Sequence, residues 1–80
     1  MKKVGTVTHY YGKIGVAIIG LEGSLKVGDQ IKFEGHGADF SQPVESMQID
    51  HAQVEKAKSG DVVGLKAAQA VSEGTAVFVE

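Results

Sequence analysis

Hydrophobic and polar residues alternate with period two along most of this chain, and glycine-centred turns divide the runs. In the first run Val7, His9 and Tyr11 share one parity and Thr6, Thr8 and Tyr10 the other, with Gly5 marking a bulge. Ile14 to Leu21 differs, because Val16 and Ile18 on one face and Ala17, Ile19 and Leu21 on the other are all apolar. Such a strand is covered on both sides, or presents a face to something outside the chain. Gln30 to Glu34 places Ile31 and Phe33 inward. A short strand around Phe40 ends at Pro43, which has no N–H to donate and so belongs at an edge or bulge. Alternation resumes from Val44 to His51 through Met47 and Ile49, and the last strands are Val62 to Ala67 and Ala76 to Val79. Only Gln53 to Lys58 has helical character, enough for about one turn.

Six or seven short strands without a long helix are expected to form an all-β fold, as a barrel or a small sandwich. Closure removes exposed edges, which favours a single closed six- or seven-stranded Greek-key β-barrel over residues 1–80. Three turns share one form, around Gly28, Gly60 and Gly74, each entering a strand where a positive φ is needed.

Composition narrows the function. Eighty residues without cysteine hold neither a disulfide nor a cysteine zinc site, and fit a reducing cytoplasm. The net charge is −2 and all eight basic residues are Lys, so no guanidinium fork is present for bases or phosphates. No apolar run approaches the ~20 residues of a membrane helix. No phosphate-binding loop follows from Gly12-Lys13, since Ile14 stands where Ser or Thr belongs, so no nucleotide is expected. Asp61-Val62-Val63-Gly64 spells D-x-x-G, but a turn aspartate entering a strand explains it. His36 and Asp39 are two ligand types without an evident third, and His51 has the parity of a barrel-rim residue. The chain is therefore expected to be no enzyme, with no catalytic residue, metal or cofactor. His9, Tyr10 and Tyr11 remain as stacking surfaces for a base or peptide, with Lys13 nearby.

Val44-Glu45-Ser46-Met47-Gln48-Ile49-Asp50-His51, followed by Glu55-Lys56-Ala57-Lys58-Ser59-Gly60-Asp61-Val62-Val63-Gly64-Leu65, resembles the second domain of translation elongation factors of the elongation factor Tu type. That family carries V-x-S-[hydrophobic]-E-M-H-H and then E-A-x-x-G-D-x-V-G at the same spacing. Gly20-Leu21-Glu22-Gly23-Ser24-Leu25-Lys26-Val27-Gly28-Asp29 is similar to its preceding G-R-V-E-x-G-x-L-K-x-G-D, one residue shorter. The resemblance implies the translation-protein β-barrel, and Gln48 and Ile49 as pocket residues with Tyr10, Tyr11 and Lys13 as the nearest stacking and phosphate-contacting groups. Gln48 replaces the family's pocket Glu, Leu21 its Arg, and Asp50 the first His of H-H. The implied role is a binding module for a tRNA 3′ end or ribosome-associated RNA, without the GTPase domain. Related barrels close the C-terminus of collagenase-like peptidases, which implies the alternative of a substrate-docking or protein-interaction barrel. A homo-oligomer burying the second strand is a further expectation.

Overall fold

A computed structural model describes residues 2–50 and 52–80. His51 therefore lies outside the described residues.

Among the described residues the alternation is realised as ten strands: β1 (Lys2–Tyr11), β2 (Val16–Leu21), β3 (Leu25–Lys26), β4 (Gln30–Gly35), β5 (Ala38–Pro43), β6 (Met47–Ile49), β7 (Ala52–Val54), β8 (Lys56–Ala57), β9 (Val62–Lys66) and β10 (Ala76–Val79). No helix occurs among the described residues, so none is long and apolar enough to cross a membrane. Eight strands form one sheet in the order β5-β4-β10-β1-β2-β9-β6-β7, and β3 and β8 form a separate ribbon. All described pairings are antiparallel.

One buried cluster unites Val7, Ile19, Ile31, Phe33, Met47, Val63 and Val77, each at most 1% exposed. They come from β1, β2, β4, β6, β9 and β10, so the sheet wraps around them. Phe33 and Phe40 stack with centroids 5.0 Å apart. The expected closed barrel is corrected here. The strand order has two ends, and no described ladder joins β5 to β7 or to β9. Curvature nevertheless returns β5 to β9, where a side chain bridges the seam. Gln42 Nε2 donates to the Lys66 carbonyl at 2.7 Å, and its Oε1 accepts from the Ala68 N–H at 2.6 Å. Pro43 does lie in an edge strand.

The helical turn expected over Gln53 to Lys58 is also corrected. Ala52–Val54 pairs with Met47–Ile49, and Lys56–Ala57 with Leu25–Lys26. Six residues gain little from an isolated helical turn, whereas the strands bury Ala57 and half-bury Val54. The strand expected from Val44 to His51 shortens to Met47–Ile49, because Val44 instead exchanges backbone hydrogen bonds with Gly28 and Asp29.

The three glycine turns are alike in geometry. Gly28, Gly60 and Gly74 have φ of 98°, 95° and 92°. Each sits third in a four-residue turn closed by a backbone bond, from Asp29 to Lys26, Asp61 to Lys58 and Thr75 to Ser72. Positive φ at the third position is the type II requirement, which glycine meets without strain.

Candidate functional site

Two bulges decide which side chains of β1 face outward. Against β10 the register shifts between Lys3 and Gly5, where Gly5 was expected to mark a bulge. A second shift, against β2, falls between Val7 and His9. Val7 pairs with buried Ile19, but His9 then pairs with Ile18, Tyr10 with buried Ala17, and Tyr11 with Val16. Paired residues point to the same side of a sheet, so the extra residue reverses the parity after Val7. His9 and Tyr11 face outward while Tyr10 turns in and packs against the core. This corrects the expected grouping of Val7 with His9 and Tyr11.

Strand β9 continues the same outer row. Ile18 pairs with Gly64, Gly64 with Gln48, and Gln48 with Gln53. Gly64 contributes no side chain, and a depression opens above it. The resulting groove of about 350 Å³ is lined by Tyr11, Ile14, Val16, Ile18, Gln48, Val62 and Gly64, with Val63 beneath and Asp50 at one end. Its rim is unusually apolar for a surface: Tyr11 is 50% exposed, Ile14 62% and Val62 54%. The doubly apolar second strand thus covers the core with Ala17, Ile19 and Leu21 and presents Val16 and Ile18 to the groove.

The aromatic wall is held in place. His9 lies edge-on to Tyr11 with ring centroids 4.4 Å apart. Its Nδ1 is 3.1 Å from Glu73 Oε2, within hydrogen-bond distance. Asp50 closes the end of β6 with φ of 52°, a left-handed conformation that aspartate tolerates better than most residues.

Of the residues singled out in the sequence, Tyr11 and Gln48 meet in the groove. Tyr10 and Ile49 do not, since both pack against the core from the inner face. Lys13 sits exposed in the turn joining β1 to β2 and is absent from the lining. His36 and Gly37 form the two-residue connection between β4 and β5, with φ of 52° and 88°, as a type I′ hairpin requires. Asp39 pairs with Lys32 at 3.2 Å. No group of three metal-ligating side chains occurs among the described residues. Sequence reading missed Val62 and Gly64, which reach the groove only through the pairing of β2 with β9. The signal that existed was the doubly apolar second strand.

Chemically, the groove offers aliphatic and aromatic walls, one amide that both donates and accepts, and one carboxylate. Among the described residues it holds neither a nucleophile paired with a base nor a cation.

No family model matches the sequence. An uncharacterized protease of Methanocaldococcus jannaschii is 41% identical over 78 residues, which cover 96% of this chain. The chain spans only 19% of that protein's length. Among solved structures, the C-terminal domain of a Geobacillus thermoleovorans protein described as a U32 peptidase superposes with a TM-score of 0.92 at 20% identity. That match covers 99% of this chain and 92% of the other. The selenomethionine variant of that domain gives 0.93 at 18% identity, covering 98% and 99%. At such identity the likeness carries the fold alone. It places the all-β architecture beside the peptidase C-terminal domains named among the sequence expectations.

Proposed function

We propose that this chain is a non-catalytic docking module of the kind attached to peptidases, and that its outer groove seats an extended polypeptide segment. The observation that carries this reading is the apolar lining of Tyr11, Ile14, Val16, Ile18 and Val62, left uncovered by any described residue on the outer face of the sheet. Exposed contiguous apolar surface on a small domain marks an interaction site. The 41% identity to an archaeal protease, and the fold shared with a peptidase C-terminal domain, support the choice of partner.

Groove chemistry favours polypeptide over RNA. Binding to a nucleic-acid backbone rests on lysine or arginine neutralising phosphates. The groove instead carries Asp50, and Lys13 lies outside it. The Gln48 amide matches a peptide group, which also offers one donor and one acceptor.

The test is an amide-shift titration of the labelled chain with an unstructured peptide bearing several aliphatic and aromatic residues, run beside a CCA-ended RNA at low salt. The peptide is expected to shift Tyr11, Ile18, Gln48 and Gly64, and the RNA is not. A variant sharpens the result: a Cβ on Gly64 would meet Ile18 Cδ1 at 3.3 Å and Val16 Cγ1 at 3.4 Å. Gly64→Ala should therefore shallow the groove and weaken the peptide with little loss of stability. Shifts at these residues from RNA alone, or from neither probe, would overturn the proposal.

A further inference from the structure

A second concavity shares none of its lining residues with the groove. It measures about 610 Å³ and lies along the β3–β8 ribbon, lined by Ser24, Leu25, Lys26, Lys56, Ala57 and Lys58, with Asp29 and Asp61 also at its walls. Small-molecule sites typically enclose about 300–1,000 Å³. Leu25 and Ala57, paired across the ladder, are buried into the core at 1% and 8% exposure. The next pair is Lys26 opposite Lys56. Directly opposed like charges in a ladder are destabilising, with Cβ atoms about 4.5–5.5 Å apart. Lys58 joins them at the same cavity.

Three of the eight lysines of a net-acidic chain are thus gathered at one concavity. No ion pair engages any of them among the described residues, where the paired lysines are Lys3 and Lys32. The two aspartates are committed locally and in matching fashion. Asp29 Oδ2 accepts from the Lys26 N–H at 3.1 Å, and Asp61 Oδ2 from the Lys58 N–H at 3.0 Å. The turns Lys26-Val27-Gly28-Asp29 and Lys58-Ser59-Gly60-Asp61 therefore present their lysines through the same backbone geometry. Lys26 thus faces Lys56 with no ion pair to either among the described residues, in a cavity where three lysines outnumber two carboxylates, and such a surplus of positive charge suits an anion.

We propose that this cavity binds a compact anion bearing two or more negative charges, the chemistry shared by a pyrophosphate group and a di- or tricarboxylate. Ammonium groups act as point charges rather than as a planar fork, so the site selects for charge density more than for shape. Ser24 adds a hydroxyl able to donate to an oxyanion. This site is independent of the docking reading, and either can fail without the other.

The probes are pyrophosphate, citrate and sodium chloride at matched ionic strength, each titrated into the labelled chain at low salt. Pyrophosphate or citrate is expected to give saturable shifts at Ser24 to Lys26 and at Lys56 to Lys58. The stronger of the two identifies the phosphate or carboxylate source. Lys56→Gln should weaken binding by about fivefold, as ~1 kcal/mol from one exposed charge pair implies, while Lys13→Gln leaves it unchanged. At low salt Lys56→Gln should keep or raise the melting temperature, since it removes a repulsion. Shifts reproduced by sodium chloride, equal weakening by Lys13→Gln, or a lowered melting temperature in Lys56→Gln would each overturn the proposal.

Discussion

The seam between β5 and β9 depends on one amide. Gln42 takes the place of a peptide unit, donating to the Lys66 carbonyl at 2.7 Å and accepting from the Ala68 N–H at 2.6 Å where no ladder runs. Gln42→Ala removes both bonds. A neutral hydrogen bond contributes a net ~0.5–1.5 kcal/mol, and the seam is open enough for water to replace part of each. The expected loss is therefore about 1–2 kcal/mol, taken from the lower part of the two-bond sum. For a domain of this size ~1 kcal/mol moves the melting temperature by ~4–8 °C, so a drop of about 5–15 °C is expected. Urea denaturation followed by circular dichroism gives the free energy, and hydrogen exchange at the Ala68 amide reports the seam itself. Gln42→Met, which keeps length without polarity, should resemble Gln42→Ala. Gln42→Glu keeps the acceptor for Ala68 but sets a carboxylate against the Lys66 carbonyl. Its deficit should shrink below about pH 4, where a carboxyl protonates and can donate. Stability within ~0.3 kcal/mol of the parent, with Ala68 protection unchanged, would refute the view that this amide holds the β5–β9 seam.

Three further outcomes follow from local geometry. At Gly5 a Cβ would lie 2.8 Å from both the Gly20 carbonyl oxygen and Ile19 Cγ2. Because backbone cannot yield, Gly5→Ala should destabilise by about 1–3 kcal/mol in the same denaturation assay. Gly28→Ala and Gly60→Ala meet nothing within 4 Å and suffer only from φ of 98° and 95°, so each should lose about 1–2 kcal/mol. The Lys32 ammonium is held above its ordinary value of 10.5 by hydrogen bonds to Asp39 and then Glu34. A raised folded-state value means its stabilisation is fully present below pH 10.5 and is lost as pH climbs through the folded value. Lys32→Met should accordingly flatten the alkaline fall in stability, and an unchanged fall would show that the ion pairs do not couple to folding.

Much of the fold was legible because its causes are local. Ile31 and Phe33 point inward as their alternation with Gln30, Lys32 and Glu34 requires, and Pro43 ends an edge strand because it lacks a donor. The candidate site was legible only in part. Tyr11 and Gln48 meet in it, whereas Tyr10 and Ile49 share its strands but face the core. Nothing in Thr8-His9 announces the bulge between Val7 and His9, since bulge placement depends on how β1 registers against β2.

The chain by itself determined the all-β class, the glycine turns with positive φ, and a second strand with an apolar surplus. Each of these rests on interactions within a few residues: steric limits on φ, and a side-chain period of two. Tertiary structure alone decided that Lys56–Ala57 would pair with Leu25–Lys26 and set Lys26 against Lys56. It also decided that Gly64 would floor a groove beneath Ile18, and that Gln42 would bridge β5 to the end of β9. The physical reason is register. A one-residue shift exchanges the two faces of a strand, and register is fixed by partners distant in sequence.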